Sequence, residues 1–207
     1  MAALHVRALP MGLFPRLGEQ FVARWHRAYL DSPHAVALVA VRRTGAEEDV
    51  VGFLVGATDR LSFHRELLRN HRTALAVRGG LALVTRPAVL SDFTRTRLRP
   101  YLRRISGSSE PPVPKWSAPR APVADLTAVA VATVARRGGA GRRLVETFLT
   151  RCAASGTRWA ELVTALEPGG AQDFYASTGW SVLHDVVTRD GVSVRHFARR
   201  LDLPEGS

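Results

Sequence analysis

The 207-residue chain has one cysteine, Cys152, two methionines and, among 29 basic residues, a single lysine, Lys115. One thiol excludes an internal disulfide and cannot build a zinc cluster, and no histidine pair stands at metal-ligand spacing. No metal is therefore expected. No apolar run approaches the ~20 residues that a bilayer span needs. The opening stretch MAALHVRALPMGLFPRLG lacks the basic-then-apolar order of a secretory signal, so a cytoplasmic setting is the expectation. No glycine loop ends in Gly-Lys-Ser/Thr, which removes Walker-type nucleotide binding. Acids are also scarce, 18 against 29 bases, for a formal net charge of +11.

What is present is arginine, and it is unevenly placed. Between His64 and Arg104 lie ten arginines against Glu66 and Asp92, a net +8 (ten minus two) that holds most of the excess charge. Clustering of this kind points to an anionic partner, with a solvated, arginine-rich packing element as the other reading.

Apolar periodicity orders the chain. LHVRAL (4–9) is predicted to be a first strand. GLFPRLGEQFVARWHRAYL places Phe14, Leu17, Phe21, Trp25 and Tyr29 at steps of three and four, an amphipathic helix. AVALVAVRR and VVGFLVGATD read as an antiparallel hairpin. From Leu61 to Ile105 the period is helical, broken at Gly79-Gly80 and Pro87, and the following SGSSEPPVPKWSAPRAP is a loop. VADLTAVAVATV is a strand, Gly139 to Ser155 a helix, TRWAELVTAL a strand and GGAQDFYAST a short helix. WSVLHDVV and SVRHFARRL close the chain as a hairpin about Asp190-Gly191. The order β-α-β-β-(helical insert)-β-α-β-α-β-β describes one mixed α/β domain over residues 1–207, with the insert and its Pro/Ser-rich loop at about 61–120.

The stretch ARRGGAGRRL (135–144) joins a strand to a helix through three glycines and four arginines. Amides at a helix N-terminus lack intrahelical acceptors, and the macrodipole adds partial positive charge. Glycines let a phosphate approach those amides, and Arg136, Arg137, Arg142 and Arg143 supply charge. A glycine-rich turn with solvated arginines is the alternative.

Residues 123–144 resemble motif A of the GNAT superfamily of acyl-CoA N-acyltransferases, an apolar strand, R/Q-x-x-G-x-G/A, then a helix. LTAVAV is the strand, Arg136-Arg137-Gly138-Gly139-Ala140-Gly141 the turn, and Leu144 opens the helix. Thr133 stands where a proline is frequent and Arg137 where a glycine is common. AQDFYASTGW resembles the family's motif B through Ala171, Tyr175, Gly179 and Trp180, with Pro168 in place of a frequent asparagine. The two motifs stand in order with a strand between them.

The resemblance implies a GNAT-like mixed central sheet with flanking helices, and acetyl-CoA as co-substrate. Its pyrophosphate would lie on the turn formed by Arg136, Arg137, Gly138, Gly139, Ala140, Gly141 and Arg142, and its pantetheine along the backbone near Val129 and Val131. The implied reaction is acetyl transfer to a primary amine of a small molecule by direct attack. Tyr175 matches the tyrosine that protonates the departing thiolate, since phenol and thiol pKa values are close. Its bland counterpart is a tyrosine packing the short helix. The amide of Val129 would stabilise the oxyanion.

Asp125, where relatives often carry an acid, is the candidate general base, with a solvated strand-end acid as the alternative. Strand alternation would set it on one face with Thr127 and Val129. Glu161 is a weaker candidate. His34, His64, His71 and His184 read as isolated surface or structural histidines, and Cys152 as a buried structural thiol.

The roughly 65 residues between Ala57 and Val123 exceed an ordinary connection. By family analogy they lie on the acceptor side, where their arginines would suit an anionic acceptor such as a phosphate-bearing amino sugar. A carrier protein, a membrane face or RNA remains open, although the few aromatics there argue against a base-stacking platform. The rival class is a non-catalytic acyl-CoA- or nucleic-acid-binding module on the same fold.

Overall fold

The computed structural model describes residues 1–86, 89, 91, 122–167, 170–188 and 191–202. The two valine-rich runs pair antiparallel as β1 (Ala35–Thr44) and β2 (Glu47–Ala57), with Gly45 at φ 64° in the turn between them. β2 is buried from Val51 to Ala57, a continuous apolar run covered on both faces. β3 (Val123–Val131) pairs antiparallel with β2 and ends in a 3-10 turn, Thr133–Ala135. Helix α6 (Ala140–Ala154) then crosses over to β4 (Trp159–Ala165), which runs parallel to β3. After the short helix α7 (Gln172–Ser177), β5 (Ser181–Val187) and β6 (Ser193–Arg200) form the last hairpin. β6 inserts between β4 and β5, so the six-stranded sheet is ordered β1-β2-β3-β4-β6-β5.

The remaining helices are α1 (Ala2–Ala8), α2 (Leu13–Arg16), α3 (Glu19–Asp31), α4 (Arg60–Asn70) and α5 (Arg72–Val84). They cover one face of the β1–β3 half, where Phe21, Trp25, Tyr29, Phe53, Phe63 and Leu75 share a core. On the opposite face α6 buries Leu144, Val145, Phe148 and Leu149 against Leu54, Leu126, Leu162 and Phe197. α6 therefore spans both halves of the sheet.

Three local expectations change. Residues 4–9, predicted as a strand, lie in or beside α1. Six short residues fit either period, and burial of Leu4 and His5 against the helical layer decides for the helix. The helix expected from Gly12 is two helices, because Gly18 takes φ 92° between α2 and α3; Leu17, Phe21, Trp25 and Tyr29 still face the core. Farther on, the break falls at His71, whose N–H donates to the Leu67 carbonyl to close α4 and whose carbonyl accepts from the Leu75 N–H to begin α5. Gly79 and Gly80 lie inside α5, where a Cβ on Gly79 would stand 3.4 Å from the Phe21 ring. The expected break at Pro87, any helix over 92–105 and the Ser/Pro-rich loop fall outside the described residues.

His5 and His26, from α1 and α3, bury their rings against Phe53 and Trp25, with Nδ1 of one 3.1 Å from Nε2 of the other. Burial pushes His5 down to about 4. It pushes His26 down to about 3, helped by the neighbouring His5 and the N-terminal ammonium. Both imidazoles are thus neutral when folded, while the unfolded chain takes up protons near pH 6.5. Stability contributed by these groups is complete above pH 6.5 and is lost as pH falls toward 4, with a slope of at most about 1.4 kcal/mol per pH unit for each imidazole. Urea denaturation between pH 7.5 and 4.5 should show this loss, and His26→Phe should flatten it.

A second expectation concerns Gly56, where a Cβ would lie 2.7 Å from the Asp125 carbonyl oxygen and 2.7 Å from Phe148 Cε2. The ring can shift but the strand backbone cannot, so Gly56→Ala should destabilise by roughly 1–3 kcal/mol in the same assay.

Candidate active site

The ladder between β3 and β4 covers Val123–Leu126 against Trp159–Leu162 and then stops. β4 continues along β6 to Ala165, and β3 continues along β2 to Val131, so the two strands part. The Ala132 N–H donates to the Val51 carbonyl at 2.8 Å, which sets the phase of the β2–β3 ladder. In an antiparallel pair, hydrogen-bonding direction alternates along the strand. Ala128 and Ala130 therefore bond toward β2, while the main-chain groups of Val129 and Val131 face the gap. The Val131 carbonyl accepts from Arg136 Nε at 3.2 Å.

The glycine-arginine turn stands at the end of this gap. Gly139, at φ 76°, is the N-cap of α6 and supplies no side-chain acceptor, so the first amides of the helix remain available. A Cβ on Gly141 would sit 3.6 Å from Val131 Cγ2 and 4.0 Å from the Phe174 ring, so helix start, strand end and α7 converge there. Arg136, Arg137, Gly138 and Gly139 are exposed and Ala140 is half-buried. Arg142 is exposed, and Arg143 braces the turn by donating to the Gly138 carbonyl at 3.2 Å. The site fits a phosphate-bearing thioester: unfilled amides and cationic side chains lie at one end, and an open strand edge leads away from them.

Arg137 takes φ 65°, the left-handed region, at the position where the family commonly has glycine. A left-handed backbone conformation of this kind costs on the order of 1 kcal/mol for a residue with a Cβ.

Tyr175 is buried on α7, with its ring against Phe174, Trp180 and Phe197. Its hydroxyl has no hydrogen-bond partner among the described residues, and burial raises its pKa, so the phenol holds its proton. It sits on the α6 side of the sheet.

Asp125 lies on the other side. The register between β2 and β3 shifts at Val55/Gly56 and leaves Thr127 as an extra residue in β3. Ala124 and Leu126 below this bulge face α6, as do Val129 and Val131 above it, whereas Ala128 and Ala130 face α3. Asp125 consequently shares a face with Thr127, as expected, but not with Val129: the bulge inverts the alternation that the sequence reading extended through it. Thr127 donates to Asp125 Oδ2 at 2.7 Å and itself accepts from the Tyr29 hydroxyl at 3.2 Å. Burial raises the Asp125 carboxyl above its ordinary range, opposed by the Thr127 hydrogen bond and the Arg60 charge.

Glu161 stands beside Asp125 on β4 and is nearly buried, but Arg60 at the start of α4 holds its Oε2 at 2.6 Å. That pairing makes it a structural partner and a poor base. His184 is not isolated, because its ring stacks on His196 across β5–β6 at 4.4 Å. Burial, His184 and Arg60 together lower the pKa of His196. Cys152 is fully buried and pushed up to about 12, an inert thiol. Among the described residues no group of three or more His, Cys, Asp or Glu could hold a metal ion, and no helix is long and apolar enough to cross a membrane.

The sequence assigns no role to Arg60, to Tyr29 beyond an apolar position of α3, or to Thr127 beyond its place on the face of Asp125. The Asp59 side chain, which caps α4 through the amides of Leu61 and Ser62, is the one local signal that places Arg60 at a helix start.

Arg137→Gly should remove the left-handed strain and raise stability by roughly 0.5–1 kcal/mol, read as a higher Tm. A lower Tm would mean that the Arg137 side chain stabilises the turn by more than its backbone costs.

Residues 120–201 match the family described as the acetyltransferase (GNAT) domain. No curated protein matches the chain. Among solved structures, an aminoglycoside 6'-N-acetyltransferase complexed with coenzyme A matches with a TM-score of 0.56 at 12% identity, covering 100% of this chain and 91% of that one. The NatC complex bound to Gag peptide and CoA matches with a TM-score of 0.53 at 11% identity, over 97% of this chain and 88% of that one. For Ard1 from Thermoplasma volcanium, at 22% identity and a TM-score of 0.37, the match spans 39% of this chain and 55% of that one. At such identities the likeness is one of fold. The chain has the mixed α/β fold of these acetyltransferases, with its six-stranded sheet, and its residues 120–201 match the acetyltransferase (GNAT) domain family.

Proposed function

We propose that this protein transfers an acetyl group from acetyl-CoA to a primary amine by direct attack on the thioester. The observation that carries the reading is the gap between β3 and β4, with the main-chain groups of Val129 and Val131 facing it and the glycine turn at its end. Acetyl-CoA, when bound, supplies the thioester carbonyl and a thiolate leaving group. The amides of the Gly138–Gly141 turn, with Arg136, Arg137 and Arg142, take the pyrophosphate. Val131 and Val129 hold the acyl arm by strand-like hydrogen bonds, and the Val129 N–H donates to the oxyanion.

Asp125 takes the proton that the amine loses as its nitrogen bonds to the carbonyl carbon. A raised carboxyl pKa suits this role, because it brings the base nearer to the working pH. As the carbon–sulfur bond breaks, Tyr175 offers its O–H to the sulfur from the opposite side of the sheet. Burial keeps the phenol protonated until the thiolate leaves; Tyr175 then gives its proton to the sulfur, and the resulting phenolate, which burial disfavours, regains a proton from water.

The amine enters from the face that carries Asp125, Arg60, Glu161 and His196. The two relatives of similar fold bind coenzyme A, one as an aminoglycoside acetyltransferase and one with a peptide, so aminoglycosides and free peptide N-termini are the first acceptors to test. A phosphate-bearing acceptor belongs to the same proposal, but the arginines invoked for it (Arg95, Arg97, Arg99, Arg103 and Arg104) lie outside the described residues. A cytoplasmic setting is likewise proposed from the sequence alone.

Thiol release from acetyl-CoA across a panel of amines tests the reading. Tyr175→Phe should lower turnover by about 10²–10⁴-fold with little change in acetyl-CoA affinity by isothermal titration. Gly139→Val should abolish that affinity and leave the fold intact. Tight acetyl-CoA binding with no thiol release for any amine would favour a non-catalytic acyl-CoA-binding module.

A further inference from the structure

We propose that Thr127, backed by Tyr29, is a positioning residue that orients the Asp125 carboxylate in the acyl-transfer site. The inference rests on the reading of Asp125 as the base and deepens it. Tyr29 is 4% exposed and lies between Trp25 and Phe63, with ring centroids at 5.2 and 4.5 Å. Its hydroxyl proton has one acceptor among the described residues, Thr127 Oγ1 at 3.2 Å. With an incoming donor already on its oxygen, Thr127 directs its own single proton to Asp125 Oδ2 at 2.7 Å. The donor direction along the chain is therefore one-way, from Tyr29 to Thr127 to Asp125. One carboxylate oxygen is occupied, and the other is left to receive the proton of the amine.

The chain is an orienting device and not a proton exit. Tyr29 sits in the aromatic core, and burial raises its pKa so far that it neither ionises nor passes a proton onward. The bulge at Thr127 is what brings the hydroxyl into this position, a local distortion of the kind found beside active sites. The other groups around Asp125 do not replace it. Arg60 from α4 contributes charge, but its guanidinium is committed to Glu161 on β4 at 2.6 Å, and His196 on β6 faces Arg60. Among the described residues, Thr127 is the side chain that hydrogen-bonds the carboxylate directly.

The test uses carboxyl-carbon NMR of the full chain labelled at aspartate, with the Asp125 signal identified by its loss in Asp125→Asn. Thr127→Val keeps the shape of the side chain and removes the donor. A hydrogen bond to a charged group is strong enough that the Asp125 midpoint should rise by about one pH unit. Thr127→Ser should restore the wild-type midpoint, and Tyr29→Phe should shift it upward by less. An unchanged midpoint in Thr127→Val, in a protein with native circular dichroism and Tm, overturns the proposal. So does a Thr127→Ser variant that behaves like Thr127→Val. Thiol release by Asp125→Asn reports separately on the base: full turnover there removes Asp125 from catalysis, while the titration shift still decides whether Thr127 orients it.

Discussion

β4 can follow only one neighbour beyond Leu162. It pairs with β6 along its whole length, from Trp159 to Ala165, while β3 stays with β2 up to Val131. The parallel ladder between β3 and β4 therefore ends after Leu126, and the sheet is two half-sheets joined at a short seam. A strand edge is normally a liability, since its amides and carbonyls need partners. Here the unpaired edge lies in the interior, next to a helix start with its own unfilled amides. Both deficits match one extended ligand with acceptors and donors along its arm and an anionic end, the form of the acyl-CoA proposed above.

The parting would be unstable without something to bridge it, and α6 does so. Leu54 from β2, Leu126 from β3, Leu162 from β4 and Phe197 from β6 all meet its apolar face. Phe148 is wholly buried at the middle of that contact, a burial worth on the order of 2–3 kcal/mol. Close approach depends on Gly56 and Gly52 in β2: a Cβ on the latter would come within 3.3 Å of Leu144 Cδ1. The helix that presents the glycine turn is thus the same helix that holds the gap at a set width. Its N-terminal geometry and the sheet's opening are one structural fact.

Charge is organised differently at the site than over the whole chain. The protein carries a formal +11, yet Asp125 and Glu161 stand side by side on neighbouring strands. Arg60 neutralises Glu161, and hydrogen bonding from Thr127 supports Asp125 against the cost of burial. The His196 imidazole nearby adds little cationic charge, because burial and the neighbouring His184 and Arg60 keep it neutral to lower pH than usual. A basic carboxylate can persist here because each neighbour's charge is already paired or suppressed.

The glycine-arginine turn, the helix after it and the tyrosine of α7 were legible in the sequence, because each is encoded within about ten residues. Gly139 needs a left-handed backbone, Leu144, Val145, Phe148 and Leu149 repeat at helical spacing, and Tyr175 keeps its place relative to Gly179. The alternating valines of β1, β2 and β3 likewise announced strands, and their order with the helices implied the mixed sheet. Hydrophobic period alone could not tell α1 from a strand, nor foresee that Gly18 divides the next helix. It also carried Asp125 to the face of Val129, since alternation contains no sign of a bulge. Only the tertiary structure decided that Thr127 is the extra residue and that Tyr29, 98 positions earlier, closes on it. The same holds for His5 with His26 and for Arg60 with Glu161. Local order follows from backbone sterics and spacing, which neighbours in the chain determine. The site's polar contacts arise where distant segments are pressed together by burial, and their partners are chosen by that packing.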